Sequence, residues 1–196
     1  NLSELVPLIA KPGSPGNVVP VSEVEGLEVS QVVIGSSANP GLRDFSIVAE
    51  ILKDKTVASH VSFDVNPTSR QIFENLNKHK GFGYLIKAGA RFHQTGCMGC
   101  IGMGQAPGTG QISLRTMPRN FPGRSGTADD QVYLCSPETA AAEEPSPQQT
   151  AECALVGAGR RAVPGAAGDA LLIGAGVARV PTAKGAAERR HARGAA

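Results

Sequence analysis

The sequence predicts an α/β fold, a three-layer αβα domain on a mainly parallel sheet, followed by a largely disordered tail. Three observations carry this. Between residues 29 and 142, β-branched runs alternate with stripes in which apolar residues recur every three or four positions. That alternation is the pattern of strands joined by crossover helices. Turns rich in Gly, Ser, Asn and Pro follow the runs, where the loops at the carboxyl edge of a parallel sheet would lie. After Ala142 the periodicity stops, and residues 143–196 are rich in Ala, Gly, Arg, Pro and Glu without an aromatic residue. Such a segment buries too little apolar surface to offset its chain entropy.

The elements follow in order. Residues 1–27 are interrupted by Pro7, Pro12, Pro15 and Pro20 and read as an extended lead-in from a missing upstream domain, with one helical turn near Leu2–Leu8. Val29–Ile34 is a buried-strand pattern ending at Gly35. The turn 35–41 leads into a helix over Leu42–Lys53, striped by Leu42, Phe45, Val48 and Leu52. Val57–Val65 alternates as a second strand, and Thr68 with Gln71 predicts a capping box before Ile72, Phe73 and Leu76. Phe82–Ala88 is helical, Arg91–His93 a short strand, and Gln111–Thr116 and Gln131–Leu134 further strands. Ser136 and Pro137 mark a helix start, as N-cap and first helical residue. The loops at 35–41, 66–68, 94–104 and 118–126 would then meet at one edge of the sheet. In the tail, a helix or strand is expected only near 170–177, and Cys153 is read as a free thiol.

Composition limits the function. A net charge of +2 gives no case for a nucleic-acid partner or an anionic membrane surface. No apolar run approaches the roughly 20 residues of a membrane span. Four cysteines in 196 residues do not make a disulfide scaffold, and a close pair in a Gly-rich loop points to metal or redox chemistry in a reducing, cytoplasmic compartment. That pair is Cys97 and Cys100, in His93-Gln94-Thr95-Gly96-Cys97-Met98-Gly99-Cys100-Ile101-Gly102-Met103-Gly104. Cys-x-x-Cys lets two thiolates face one centre, which suits zinc, an iron–sulfur cluster or a redox dithiol. Zinc would need two further ligands, and a thioredoxin-like dithiol normally opens a helix, which Gly102, Gly104 and Pro107 disfavour. His93 reads as a structural hydrogen bonder, Glu138 as an acid at a helix N-terminus, and Arg119 and Arg124, taken by themselves, as a solvated loop.

Three motifs carry a resemblance. Gly35-Ser36-Ser37-Ala38-Asn39 stands where one family has Gly-Ser-Cys-Thr-Asn. Gly96-Cys97-Met98-Gly99-Cys100-Ile101-Gly102 fits its Cys-Gly-Pro-Cys-Ile-Gly, and Arg119-Asn120-Phe121-Pro122-Gly123-Arg124 its Arg-Asn-Phe-x-Gly-Arg, with Ser136-Pro137-Glu138 following as Ser-Pro-Glu. In order and spacing, residues 32–142 resemble the third α/β domain of the aconitase and isopropylmalate-isomerase hydro-lyases, in the bacterial aconitate hydratase branch. The resemblance implies a [4Fe–4S] cluster held by three cysteines, with an open iron acting as Lewis acid in the dehydration and rehydration of a hydroxy acid. It places Cys97 and Cys100 as two ligands, Arg119 and Arg124 on substrate carboxylates, and Asn39 near the cluster. A guanidinium suits that role because its fork binds carboxylate bidentately and stays charged.

The sequence departs from the family at defined points. The third-ligand position is Ser37, a harder and less acidic donor than a thiolate, with Cys135 as the other candidate. Pro118 replaces the Asn usual before the first arginine. The family's His/Asp acid–base groups lie in earlier domains, and its catalytic serine and further arginines in a later one. The expected molecule is therefore a fragment of an aconitate hydratase-type lyase with a lead-in over 1–27, a cluster domain over 28–142 and a tail over 143–196 whose abrupt composition suggests a frameshift. Its substrate would be a small tricarboxylic or dicarboxylic acid, citrate and isocitrate in the parent or an isopropylmalate-type acid, and the isolated chain would be inactive. The competing class is a non-enzymatic Cys-x-x-Cys metal-binding or redox module.

Overall fold

The computed structural model describes residues 4–142; the tail over 143–196, with its expected element at 170–177 and Cys153, lies outside the described residues. Among the described residues, those from Val6 to Ala142 belong to one compact unit.

The long β-branched run becomes β3 (Val29–Gly35), the middle of the parallel part of the sheet. It pairs in parallel with β4 (Ser62–Asn66) on one side and β6 (Ile112–Arg115) on the other. β5 (Arg91–Phe92) adds in parallel beyond β4, and β7 (Gln131–Leu134) beyond β6. Two short strands, β1 (Leu8–Ala10) and β2 (Val18–Pro20), complete the order β2-β1-β7-β6-β3-β4-β5, both pairing antiparallel. The α/β class with a mainly parallel sheet is the observed one.

Alternation along the strands gives the sheet two different faces. One carries Val32, Ile34, Phe63, Val65 and Leu114 against the helices α1 (Leu42–Ile51), α2 (Arg70–Lys78), α3 (Gly81–Ala88) and α4 (Pro137–Ala142). Phe45, Val48, Leu76 and Leu85 supply the helix side, each fully buried. Burying each such side chain contributes about 2 kcal/mol. The opposite face carries Gln31, Asp64, Ser113 and Arg115, all buried. The four helices pack on one another in a single layer. Among the described residues, the second outer layer is the cysteine loop, with a 3-10 turn over Gly99–Ile101.

Several local expectations shift. The expected lead-in is part of this domain over residues 8–24: β1 and β2 extend the sheet, a 3-10 turn spans Val21–Val24, and Ile9, Val21 and Val24 are core residues. Pro20 is compatible with a strand because β2 is the sheet edge, where its missing N–H breaks no ladder. The helical turn expected to reach Leu8 gives way to strand there. Strand β4 starts at Ser62 rather than Val57, because Ala58–Val61 closes as a turn. The cap of α2 is Ser69, whose hydroxyl accepts from the Ile72 amide at 3.3 Å, in place of Thr68; the Thr68 hydroxyl instead donates to the Pro40 carbonyl at 2.6 Å. Ser136 does cap α4, accepting from the Thr139 amide at 3.1 Å.

Candidate metal centre

The strand-end loops converge as the parallel sheet requires. The Thr116 hydroxyl accepts from the Gly35 amide at 2.9 Å, and Asn39 Nδ2 donates to the Thr116 carbonyl at 3.1 Å, tying the first loop to the end of β6. The Gly96 amide donates to the Pro67 carbonyl at 3.3 Å, joining the cysteine loop to the loop after β4. The Ser125 hydroxyl donates to the Cys100 carbonyl at 3.2 Å, bringing in the arginine loop. Gly102 makes that approach possible. Its φ of +77° is left-handed, and a Cβ there would strike the Ser125 backbone.

At this junction the side chains of Ser37, Cys97, Cys100 and Arg124 meet. Cys100 is buried, Cys97 half-buried and Ser37 exposed. Arg124 Nη2 donates to Cys100 Sγ at 3.0 Å. Burial pushes the Cys97 thiol up, but hydrogen bonds from Ser37, Cys100 and Arg124 and the Arg124 charge outweigh it, so its pKa is lowered. Cys100 shifts the other way, raised by burial and by its hydrogen bond with Cys97 against the opposing charges of Arg124 and Arg115. The pair is thus differentiated, with Cys97 the readier thiolate.

The remaining expected site residues fall as follows. Arg119 is exposed, and none of the described hydrogen bonds or ion pairs includes it. Asn39 is exposed in the same turn as Ser37, with its side-chain amide bound to Thr116. Cys135 follows Tyr133 on the helix-facing side of β7 and packs against the hydrophobic core, across the sheet from the cysteine loop. It therefore lies away from Cys97 and Cys100, whereas Ser37 is the candidate that reaches Cys97. Among the described residues no group of three or more His, Cys, Asp and Glu side chains could hold a metal ion. The side chains that meet there offer two sulfurs and one hydroxyl oxygen. Two adjacent thiols beside a cation fit the thiolate corners of a cluster, with an oxygen at the third.

Two residues that the sequence did not single out hold the loop in place. Asn66, fully buried at the end of β4, accepts on Oδ1 from the Met98 amide at 3.3 Å and the Gly99 amide at 3.0 Å, and donates from Nδ2 to the Gln94 carbonyl at 2.8 Å. Arg115, fully buried on β6, donates to the carbonyls of Gly99 and Gln105, both at 2.6 Å. Burial pushes its pKa down to about 10, partly offset by the charges of Asp130, Asp64 and Cys100. His93 is the structural hydrogen bonder expected of it, its Nε2 lying 2.9 Å from Oδ1 of buried Asp64. Arg91 reaches the same oxygen at 3.1 Å and Gln105 Oε1 at 2.9 Å. Polar residues on a strand's second face were the available signal, but only the folded-back loop shows that they are buried.

No helix among the described residues is long and apolar enough to cross a membrane. The family model described as "Aconitase family (aconitate hydratase)" matches residues 21–144. The chain is 42% identical over 144 residues to 3-isopropylmalate dehydratase large subunit 1 of Methanopyrus kandleri, covering 72% of this chain and 34% of that relative. It is 44% identical over 142 residues to 3-isopropylmalate dehydratase large subunit 2 of Pyrococcus furiosus, covering 71% of this chain and 37% of the relative. Against the methanogen homoaconitase large subunit of Methanocaldococcus jannaschii it is 38% identical over 142 residues, covering 72% of this chain and 34% of the relative. The chain thus spans about a third of the length of the curated relatives it matches. With converging strand-end loops, a paired-cysteine turn and this match, the chain belongs to the aconitase family.

Proposed function

We propose that this chain is the cluster-holding α/β part of an aconitase-type hydro-lyase, with Cys97 and Cys100 as thiolate ligands of a [4Fe–4S] cluster and Ser37 at the third corner. The observation that carries the reading is the meeting of Ser37, Cys97, Cys100 and Arg124 at the carboxyl edge of the sheet. The cluster, when bound, supplies a Lewis acid toward a hydroxyl and a carboxylate. The chain's residues supply the surroundings. Arg124 holds its guanidinium at the cysteines, where it offsets thiolate charge and presents further N–H groups to a substrate carboxylate. Arg119, exposed on the same loop, is the second carboxylate-binding candidate, and Asn39 lines the turn beside Ser37.

The substrate is a small hydroxy acid with two or three carboxylates. Citrate and isocitrate are one reading, and the relatives named for 3-isopropylmalate dehydratase bring that acid forward beside them. Those relatives are large subunits, so a small-subunit partner belongs to the proposal, as does a reducing, cytoplasmic setting. The residues of this chain assign no proton-transfer group to the reaction, and the chain by itself is expected to be inactive. The competing reading, a Cys-x-x-Cys zinc or redox module, draws on the absence of a third thiol from the site among the described residues.

Anaerobic incubation with ferrous iron and sulfide, followed by metal and sulfide analysis and by electron paramagnetic resonance after one-electron reduction with dithionite, separates the readings. Iron and sulfide in equal amounts with a cluster signal support the proposal, and a signal change on adding citrate or 3-isopropylmalate identifies the acid. Stoichiometric zinc without sulfide after purification would overturn it.

A further inference from the structure

Arg115 is fully buried on the sheet face beneath the cysteine loop, yet no carboxylate is among its hydrogen-bond partners. Nε donates to Ser113 Oγ at 2.8 Å and Nη1 to the Gly99 carbonyl at 2.6 Å. Nη2 donates to Gln31 Oε1 at 2.7 Å and to the Gln105 carbonyl at 2.6 Å. All four acceptors are neutral. Taking a guanidinium out of water without a counter-ion in contact is costly, and a hydrophobic residue of similar volume would avoid that cost. The charges that act on it are Asp130 and Asp64, outside hydrogen-bond contact, and Cys100.

Two of its acceptors lie on the loop it supports. Gly99 sits between the two cysteines' positions and packs closely on Val33, where a Cβ would come within 3.2 Å of the valine side chain. Gln105 closes the same arc and is gripped a second time, its side chain accepting from Arg91 and its carbonyl also lying 3.5 Å from Gln31 Nε2. One planar fork therefore spans both ends of residues 99–105. A lysine ammonium, with its donors on a single atom, does not reproduce that span.

We propose that Arg115 is a positioning residue of the metal centre: its guanidinium fixes the Gly99–Gln105 arc from below, and its charge offsets the negative charge gathered at Cys97 and Cys100. The charge part rests on the cluster reading above; the arc part stands without it. Arg115→Lys keeps the charge and gives up the fork, whereas Arg115→Gln gives up both. In the full chain without metal, amide hydrogen exchange over 99–105 should speed by about ten-fold or more in each variant, with the core strands unchanged. After incubation with ferrous iron and sulfide, the reduction potential of the bound centre should move negative in Arg115→Gln and stay near the unsubstituted value in Arg115→Lys. A change in loop packing alone would not sort the two variants by charge.

Exchange over 99–105 as slow in Arg115→Lys as in the unsubstituted chain would overturn the positioning part, and this variant decides the matter if Arg115→Gln does not fold. A potential that moves equally in both variants would overturn the charge part. If the unsubstituted chain takes up no iron and sulfide, the cluster reading and the charge part fail together, while the exchange measurement still decides the arc.

Discussion

Replacing Asn66 by alanine tests whether the cysteine loop is held by the sheet. The substitution leaves the Met98 and Gly99 amides without their acceptor and the Gln94 carbonyl without a donor. Gly99 is buried, so leaving its amide unpaired costs the full desolvation penalty of about 1–3 kcal/mol. Met98 and Gln94 are less buried and can turn to water, adding about 0.5–1 kcal/mol each. The sum is about 2–5 kcal/mol, a large share of the roughly 5–15 kcal/mol by which a domain is stable. Urea unfolding of the metal-free chain measures it as a fall in midpoint at unchanged slope. The same variant should lose most of its iron after desalting, because Cys97 and Cys100 are no longer held facing Ser37. A loss of stability under about 1 kcal/mol with iron retained would refute the account and leave the loop supported by other contacts.

Four further outcomes are expected. Ser37→Cys should raise iron and sulfide retained per chain after desalting, with little effect on the urea midpoint because Ser37 is exposed; equal iron in both forms would count against Ser37 as the third corner. Because the Cys97 pKa is lowered and that of Cys100 raised, Cys97 holds more thiolate at neutral pH, so iodoacetamide should label it first in the metal-free chain. Arg124→Met removes a hydrogen bond and a charge that lower the Cys97 pKa, so labelling should become slower near neutrality and recover as pH rises; unchanged rates would remove Arg124 from the site. Gly102→Ala forces a left-handed residue and a side chain onto the Ser125 backbone, and should cost about 1–3 kcal/mol by urea unfolding together with iron binding.

The mainly parallel α/β class was legible because the runs that become β3, β4 and β6 read as strands and α1 carries a helix period, and neither depends on distant residues. Ser37, Cys97, Cys100 and Arg124 were legible as a set only through family motifs, since their meeting depends on three strand ends lying side by side. The lead-in was misread because its prolines looked like breaks, whereas an edge strand tolerates Pro20 and the apolar Ile9 and Val21 reach the core. Asn66 fell in the turn 66–68 and Arg115 within the strand 111–116, and neither carried a signal of its role. Their burial follows from the loop covering that face, a tertiary event with no local periodicity. Cys135 stayed open as an alternative in the sequence for a related reason, since one step along the chain at the end of β7 decides which side of the sheet a residue faces.

The grip of Asn66 and Arg115 on the cysteine loop has a consequence for how a cofactor would be acquired. The hydrogen bonds they make to the loop run to its backbone groups and to none of the candidate donor atoms, so they form with the fold. The entropy of ordering residues 94–105 is thus spent when the chain folds, not when metal arrives. Loading and loss then become ligand exchange at a standing scaffold, and the cofactor-free protein should keep its unfolding cooperativity while differing from the loaded one only by the mass-action term of binding.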